Sequence, residues 1–236
     1  MTLPYEVRVH ARARHVRLRV DARQGLIVTV PPRFDQRRIP ALLIERREWI
    51  DTTRRRQAAL RASCDAALLG PCPERIELAA MGRQWSVHYR EASRVHPRLL
   101  ADEQALVVEF SSSHGQDPDA AGAVLRRWLA GQARAFLGSE VARLARHHGL
   151  GFRDVTIRRQ RSRWGSCSAQ GRLSLNVRLM FCPPRACRYV LIHELAHTEH
   201  PDHSPAFWAK VAELMPDYRA ARAELGVAWQ RLPDWA

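Results

Sequence analysis

Residues 189–204 read Tyr-Val-Leu-Ile-His-Glu-Leu-Ala-His-Thr-Glu-His-Pro-Asp-His-Ser, and no other stretch limits so strongly what this chain can fold into. Pro183 and Pro184 favour a helix start and Pro201 forces a stop. Between them Val190, Leu191, Ile192, Leu195 and Ala196 make the helix nearly all apolar, so it is expected to be buried. Two imidazoles and a carboxylate in such a helix are costly without partners. His193 and His197 are four apart, about 40° in azimuth and about 6 Å in height, so both rings can reach one ion from one face. Glu194 points about 100° away from His193, where it can hold a water at the ion without ligating the metal itself. One metal ion with its water gives all three polar side chains a role.

A zinc site of the catalytic kind takes three protein ligands and keeps one position open. Nearby candidates for the third are His200, Asp202 and His203. His203 precedes Ser204-Pro205, which has the form of an N-cap followed by proline at the first helical position. After the turn at Pro201, a residue at the mouth of the next helix can swing back to the ion. His200 lies two turns along from His193, about 10 Å up the axis, so His203 is favoured and His200 comes second.

A second informative stretch runs from Arg158 to Leu179. It has the pattern of a strand, a glycine-containing turn and a returning strand with Leu173, Leu175 and Val177 inward. Gly165 permits close approach of another backbone. An edge strand beside a metal helix is a place where an extended peptide can add as a further strand. The competing reading is a plain hairpin with Trp164 in the core. Cys167 as a nucleophile lacks any supporting histidine spacing.

Elsewhere, residues 5–30 read as two strands, 35–62 as a helix with Ile39, Leu42, Leu43, Trp49 and Ile50 on one side, and 74–90 as a hairpin turning near Met81-Gly82. Leu106–Phe110 is a further short strand. The polar stretch 111–119 is the best linker, dividing a β-rich lobe with one Arg-rich helix (1–112) from a catalytic region (118–236). A long helix is expected over 120–148, strand-like segments over 153–160 and 172–179, and helices near 184–199, 204–215 and 217–225. Lys and Arg number 38 against 24 Asp and Glu, a balance that draws anions and above all nucleic acid. Lys210 is the sole lysine, however, so the excess reflects biased codon usage as much as phosphate contacts. The five cysteines, Cys64, Cys72, Cys167, Cys182 and Cys187, contain no C-x-x-C and fit a reducing cytoplasm. No apolar run is long enough to cross a bilayer, and the first ten residues lack the apolar core of a signal peptide.

Taken together, Arg163-Trp-Gly-Ser-Cys-Ser168, Leu175-Asn176, the run Tyr189-Val-x-x-His-Glu-Leu-x-His197, His203-Ser204 with Phe207-Trp208, and Met215-Pro-Asp-Tyr218 resemble the YgjP-like metallopeptidase family, a relative of the SprT and WLM zinc peptidases. The resemblance is strongest over 155–225. It implies a zincin-like α+β fold, one zinc ion on His193, His197 and His203, and Glu194 as catalytic residue. The spacing of His203 also matches metzincins, but those carry glycine where this chain has His200, and no clear Met-turn is seen.

The expected chemistry is metal-assisted hydrolysis of a peptide or protein with Glu194 as general base. Arg163, Trp164, Gly165 and Tyr218 are candidate substrate-binding residues, and Arg163, Tyr189 and Tyr218 candidate donors to the oxyanion. Two alternatives stand beside it. One is phosphoanhydride hydrolysis of nucleotides, an activity attached to one branch of the family, although no phosphate-cradling glycine loop is present. The other is a DNA-associated protein whose zinc is structural, closed by a fourth protein ligand.

Overall fold

A computed structural model describes residues 4–21, 25–62, 66–93, 96–111 and 117–236. The chain divides into two compact units, Met1–Cys64 and Asp65–Ala236.

In the first unit, three strands form one sheet: β1 (Tyr5–Val9), β2 (Arg17–Asp21) and β3 (Gly25–Val30) in the order β1-β3-β2. The sequence suggested two strands. The third arises because β1 and β2 do not pair with each other: both flank β3, β1 in parallel and β2 antiparallel. Val20, Leu26, Val28 and Val30 pack with Ile39, Leu43 and Ile50 into a core of this unit's own. The expected single helix is broken into α1 (Ile39–Glu45) and α2 (Arg47–Ala62) at Arg46, whose backbone (φ −98°, ψ 11°) leaves the helical region. The break shifts the helical phase. Trp49, expected inward beside Ile50, is 46% exposed as a result.

The second unit begins with a short turn of helix, α3 (Ala66–Leu69), and a four-stranded sheet. Its strands are β4 (Arg75–Leu78), β5 (Arg83–Ala92), β6 (Arg98–Ala101) and β7 (Ala105–Ser111), ordered β4-β5-β7-β6 with β5 and β7 parallel. The helix α4 (Pro118–His148) is 31 residues long, about 46 Å at 1.5 Å per residue. The Asp117 carboxylate accepts from the Asp119 amide at its start, and Gly149 at φ 67° ends it in the left-handed conformation that only glycine takes at no steric cost. Apolar side chains of this sheet (Ile76, Trp85, Val108) and of α4 (Leu125, Leu137, Leu144) share one core, so the linker stretch expected near 112–118 falls inside this unit. Residues 112–116 of that stretch, and Cys64, lie outside the described residues.

A third sheet carries the site. Strands β8 (Asp154–Arg158), β9 (Gly165–Cys167) and β10 (Arg172–Asn176) take the order β8-β10-β9, with β10 parallel to β8 and antiparallel to β9. Leu173 and Leu175 point into the core, whereas Arg172 and Ser174 face outward. Three helices follow: α5 (Pro184–Ala196), α6 (Pro205–Leu214) and α7 (Tyr218–Ala228). The architecture is α+β, with the buried helix α5 packed on β9, α4, α6 and α7. Among the described residues no helix is long and apolar enough to cross a membrane.

Candidate metal centre

Nine of the thirteen residues of α5 are buried, Glu194 among them, and both prolines stand at its start as expected. The helix ends at Ala196, with His197 as its C-cap. The amide of His200 still reaches back to the Ala196 carbonyl at 3.0 Å, which carries the chain to Pro201. Ser204 caps α6 by accepting from the Phe207 amide at 3.4 Å, and Pro205 occupies the first turn. The turn between the two helices therefore returns His203 to α5. Donor atoms of His193, His197 and His203 all lie within 4.8 Å of one another. His200 is not in this group; it contributes its backbone carbonyl, 3.0 Å from His197 Nδ1. A carbonyl oxygen can only accept, so Nδ1 of His197 carries the proton and Nε2 keeps its lone pair.

Electrostatics also favour neutral rings. Burial, with the neighbouring His197, His203 and Arg222, pushes His193 down to about 3. Burial, then His197 and Arg222, lower His203 as well, against the opposing pull of Asp202. His193 Nε2 and His203 Nε2 stand 3.1 Å apart. With both rings neutral and their lone pairs converging, a cation between them satisfies what no protein donor does. Phe207, fully buried, stacks on the His197 ring at 4.4 Å and holds it from behind. The Tyr189 hydroxyl lies 3.5 Å from His193 Nδ1, in the position of the outer hydrogen-bond partner that orients a ligating imidazole.

Glu194 is 5% exposed, and burial raises its carboxyl to about 7 against the opposing pull of Arg163. Its Oε2 is buried with no hydrogen-bond partner. Such an orphaned oxygen beside three converging imidazoles fits a water and a cation, so the residues present suit a metal of the zinc type. The other side of Glu194 is closed by β9. A Cβ placed on Gly165 would stand 2.7 Å from Glu194 Cγ and Oε1. The close approach expected at Gly165 is thus made by this side chain and not by a backbone.

The remaining candidates separate. Arg163 is exposed and acts on Glu194 through its charge. Trp164 turns away and packs edge-on against Trp229 at 4.7 Å. Tyr218 is buried, stacked between Tyr189 and Trp208. Cys167 is half-buried and its thiol is raised by burial and by Glu194, the wrong direction for a nucleophile. Two supporting residues escaped the sequence reading of roles. Arg222 of α7 lies over the Trp208 ring at 5.2 Å. Asn176, fully buried, donates from Nδ2 to the carbonyls of Gln160 (2.9 Å) and Arg163 (2.8 Å), and its Oδ1 accepts from the Arg178 amide. This amide pins the loop leading into Trp164 and Gly165. A lone asparagine ending an apolar strand was the available signal, since a buried amide must be satisfied.

A family described as YgjP-like, metallopeptidase domain, matches residues 14–227. No curated protein matches the chain. Among solved structures, the metallopeptidase zymogen of Pyrococcus abyssi abylysin is similar at 24% identity and a TM-score of 0.36, over 40% of this chain and 96% of that one.

Proposed function

The chain belongs to the YgjP-like metallopeptidase family, and from that premise we propose that it cleaves peptide bonds with one zinc ion on His193, His197 and His203 and with Glu194 as general base. The observation that carries this reading is the convergence of three imidazoles beside a buried carboxylate with an unpartnered oxygen. When bound, the ion supplies a Lewis acid that polarises a scissile carbonyl and brings the pKa of a coordinated water towards neutrality. Glu194, at about 7, is matched to taking a proton from the attacking water and passing it to the leaving amine near physiological pH. Arg163, an exposed cation whose charge acts on Glu194, is the oxyanion donor we favour. Cysteines that are all unpaired among the described residues accord with a reducing cytoplasm.

The test compares metal content and hydrolysis of unfolded casein in wild type, Glu194→Gln and His197→Ala. Glu194→Gln should keep stoichiometric zinc and lose cleavage at least about a hundredfold. His197→Ala should lose the metal. Full activity in Glu194→Gln removes the mechanism.

A further inference from the structure

The outer face of the third sheet opens into a cleft of about 1040 Å³. Its cations are Arg158, Arg159, Arg161, Arg163 and Arg172, against the single acid Asp154. Asp154 pairs with Arg172 at 3.5 Å, while Arg158, Arg161 and Arg163 have no ion pair among the described residues. Across the floor, Thr156, Ser174 and Ser166 stand in one cross-strand row; Thr156 donates to the Leu173 carbonyl and Ser174 Oγ accepts from Gln160 Nε2, so the Ser174 and Ser166 hydroxyls keep their own protons for a ligand between the guanidinium groups. A floor this polar does not suit apolar side chains. It suits carboxylates, which arginine binds through paired N–H donors and hydroxyls bind through one more.

The cleft adjoins an unpaired strand edge. Among the described residues β9 pairs with β10 only. Trp164 accepts from the Asn176 amide at 2.8 Å, and the Ser168 amide donates to Arg172 at 3.0 Å. Backbone groups alternate in an antiparallel ladder, so those of Gly165 and Cys167 turn to the free edge. An extended chain laid there places alternate side chains on opposite faces of the sheet. On the inner face lies Glu194, in contact with Gly165, and on the outer face lies the arginine cleft.

Resting on the peptidase reading, we propose that the substrate is an extended acidic peptide whose Asp or Glu side chains, two residues apart, occupy this cleft while the intervening residues face Glu194. A nucleic acid fits less well, because no aromatic ring lines the cleft to stack a base.

The full-length Glu194→Gln protein, supplied with zinc, is titrated by fluorescence anisotropy with two end-blocked decapeptides, one alternating Glu and Val, the other Gln and Val. At low salt the glutamate peptide should bind about tenfold more tightly, the effect of two or three exposed charge contacts, and the difference should shrink in high salt. In Arg158→Gln/Arg161→Gln the ratio should fall to about one with the glutamine peptide unaffected and the thermal midpoint unchanged. Equal affinities, or a preference that survives the double substitution, overturn the proposal. So does tighter binding of a single-stranded oligonucleotide of equal charge that the same substitutions abolish. Binding is read without hydrolysis, so a selective peptide that wild type leaves uncut counts against the peptidase reading and not against the cleft.

Discussion

Gly165→Ala isolates the contact between β9 and Glu194, the proposed general base. Gly165 does not have a positive φ, so alanine brings no backbone strain there. What it brings is a methyl 2.7 Å from Glu194 Cγ and Oε1 and 2.9 Å from Cδ. Relief to an ordinary contact near 3.4 Å requires Glu194 or the strand to shift by about 0.7 Å. Overpacking of this size costs about 1–3 kcal/mol. At about 2–4 °C per kcal/mol for a chain of this length, the melting temperature should fall by roughly 2–12 °C. The larger consequence is for catalysis, because a misplacement approaching 1 Å costs about a hundredfold in rate. The assay is steady-state cleavage of a fluorogenic peptide with zinc measured on the same samples. We expect kcat to fall about a hundredfold with KM little changed and the metal retained, since the atoms nearest the new methyl all belong to Glu194. Ser166→Ala, one residue along and pointing to the other face, should leave kcat within about threefold, with any loss of its cleft hydroxyl read in KM. A Gly165→Ala enzyme within threefold of wild type would refute the argument that β9 positions Glu194.

The third ligand is tested by zinc affinity: His203→Ala should weaken it by orders of magnitude, whereas His200→Ala should leave it within a few-fold, because only the backbone carbonyl of His200 is used. Asn176→Ala leaves the Arg163 carbonyl without its donor and the Gln160 carbonyl with only the longer bond from Arg178 Nη1 at 3.4 Å, and should lower stability by about 1–3 kcal/mol in urea unfolding; an unchanged midpoint would contradict the pinning role. The pH dependence of the metal-free protein has two opposed parts. Glu194, raised from 4.5 to about 7, contributes stability that is full below pH 4.5 and lost as pH rises through 7. His193, lowered from 6.5 to about 3, contributes stability that is full above pH 6.5 and lost as pH falls through 3. Between pH 6.5 and 4.5 the two nearly cancel in wild type. In metal-free Glu194→Gln only the histidine part remains, so this variant should lose roughly 3 kcal/mol more than wild type over that interval, at about 1.4 kcal/mol per unit. Parallel stability curves for the two proteins would contradict the assignment of both groups.

What was legible in advance, and what was not, follows from how far each signal reaches along the chain. Around α5 the chemistry and the helical period coincide within five residues, so the sequence alone sufficed to bring His193, Glu194 and His197 to one helix. His203 was readable because its approach is also local: Pro201 ends one helix, and Ser204-Pro205 starts the next. The strand β6, only Arg-Leu-Leu-Ala, went unread because four residues offer no usable alternation. The break at Arg46 and the exposure of Trp49 depend on a backbone choice that periodicity averages over. Contacts made by tertiary packing were invisible in the same way. Nothing near Gly165 announces a glutamate 29 positions later, and nothing near Arg222 announces the Trp208 ring beneath it. The convergence of the three imidazoles is therefore a local property of the chain, whereas the placement of Glu194 against β9 is a property of the fold: under the proposed mechanism, a substitution in β9, far from the motif in sequence, should impair catalysis while leaving the metal in place.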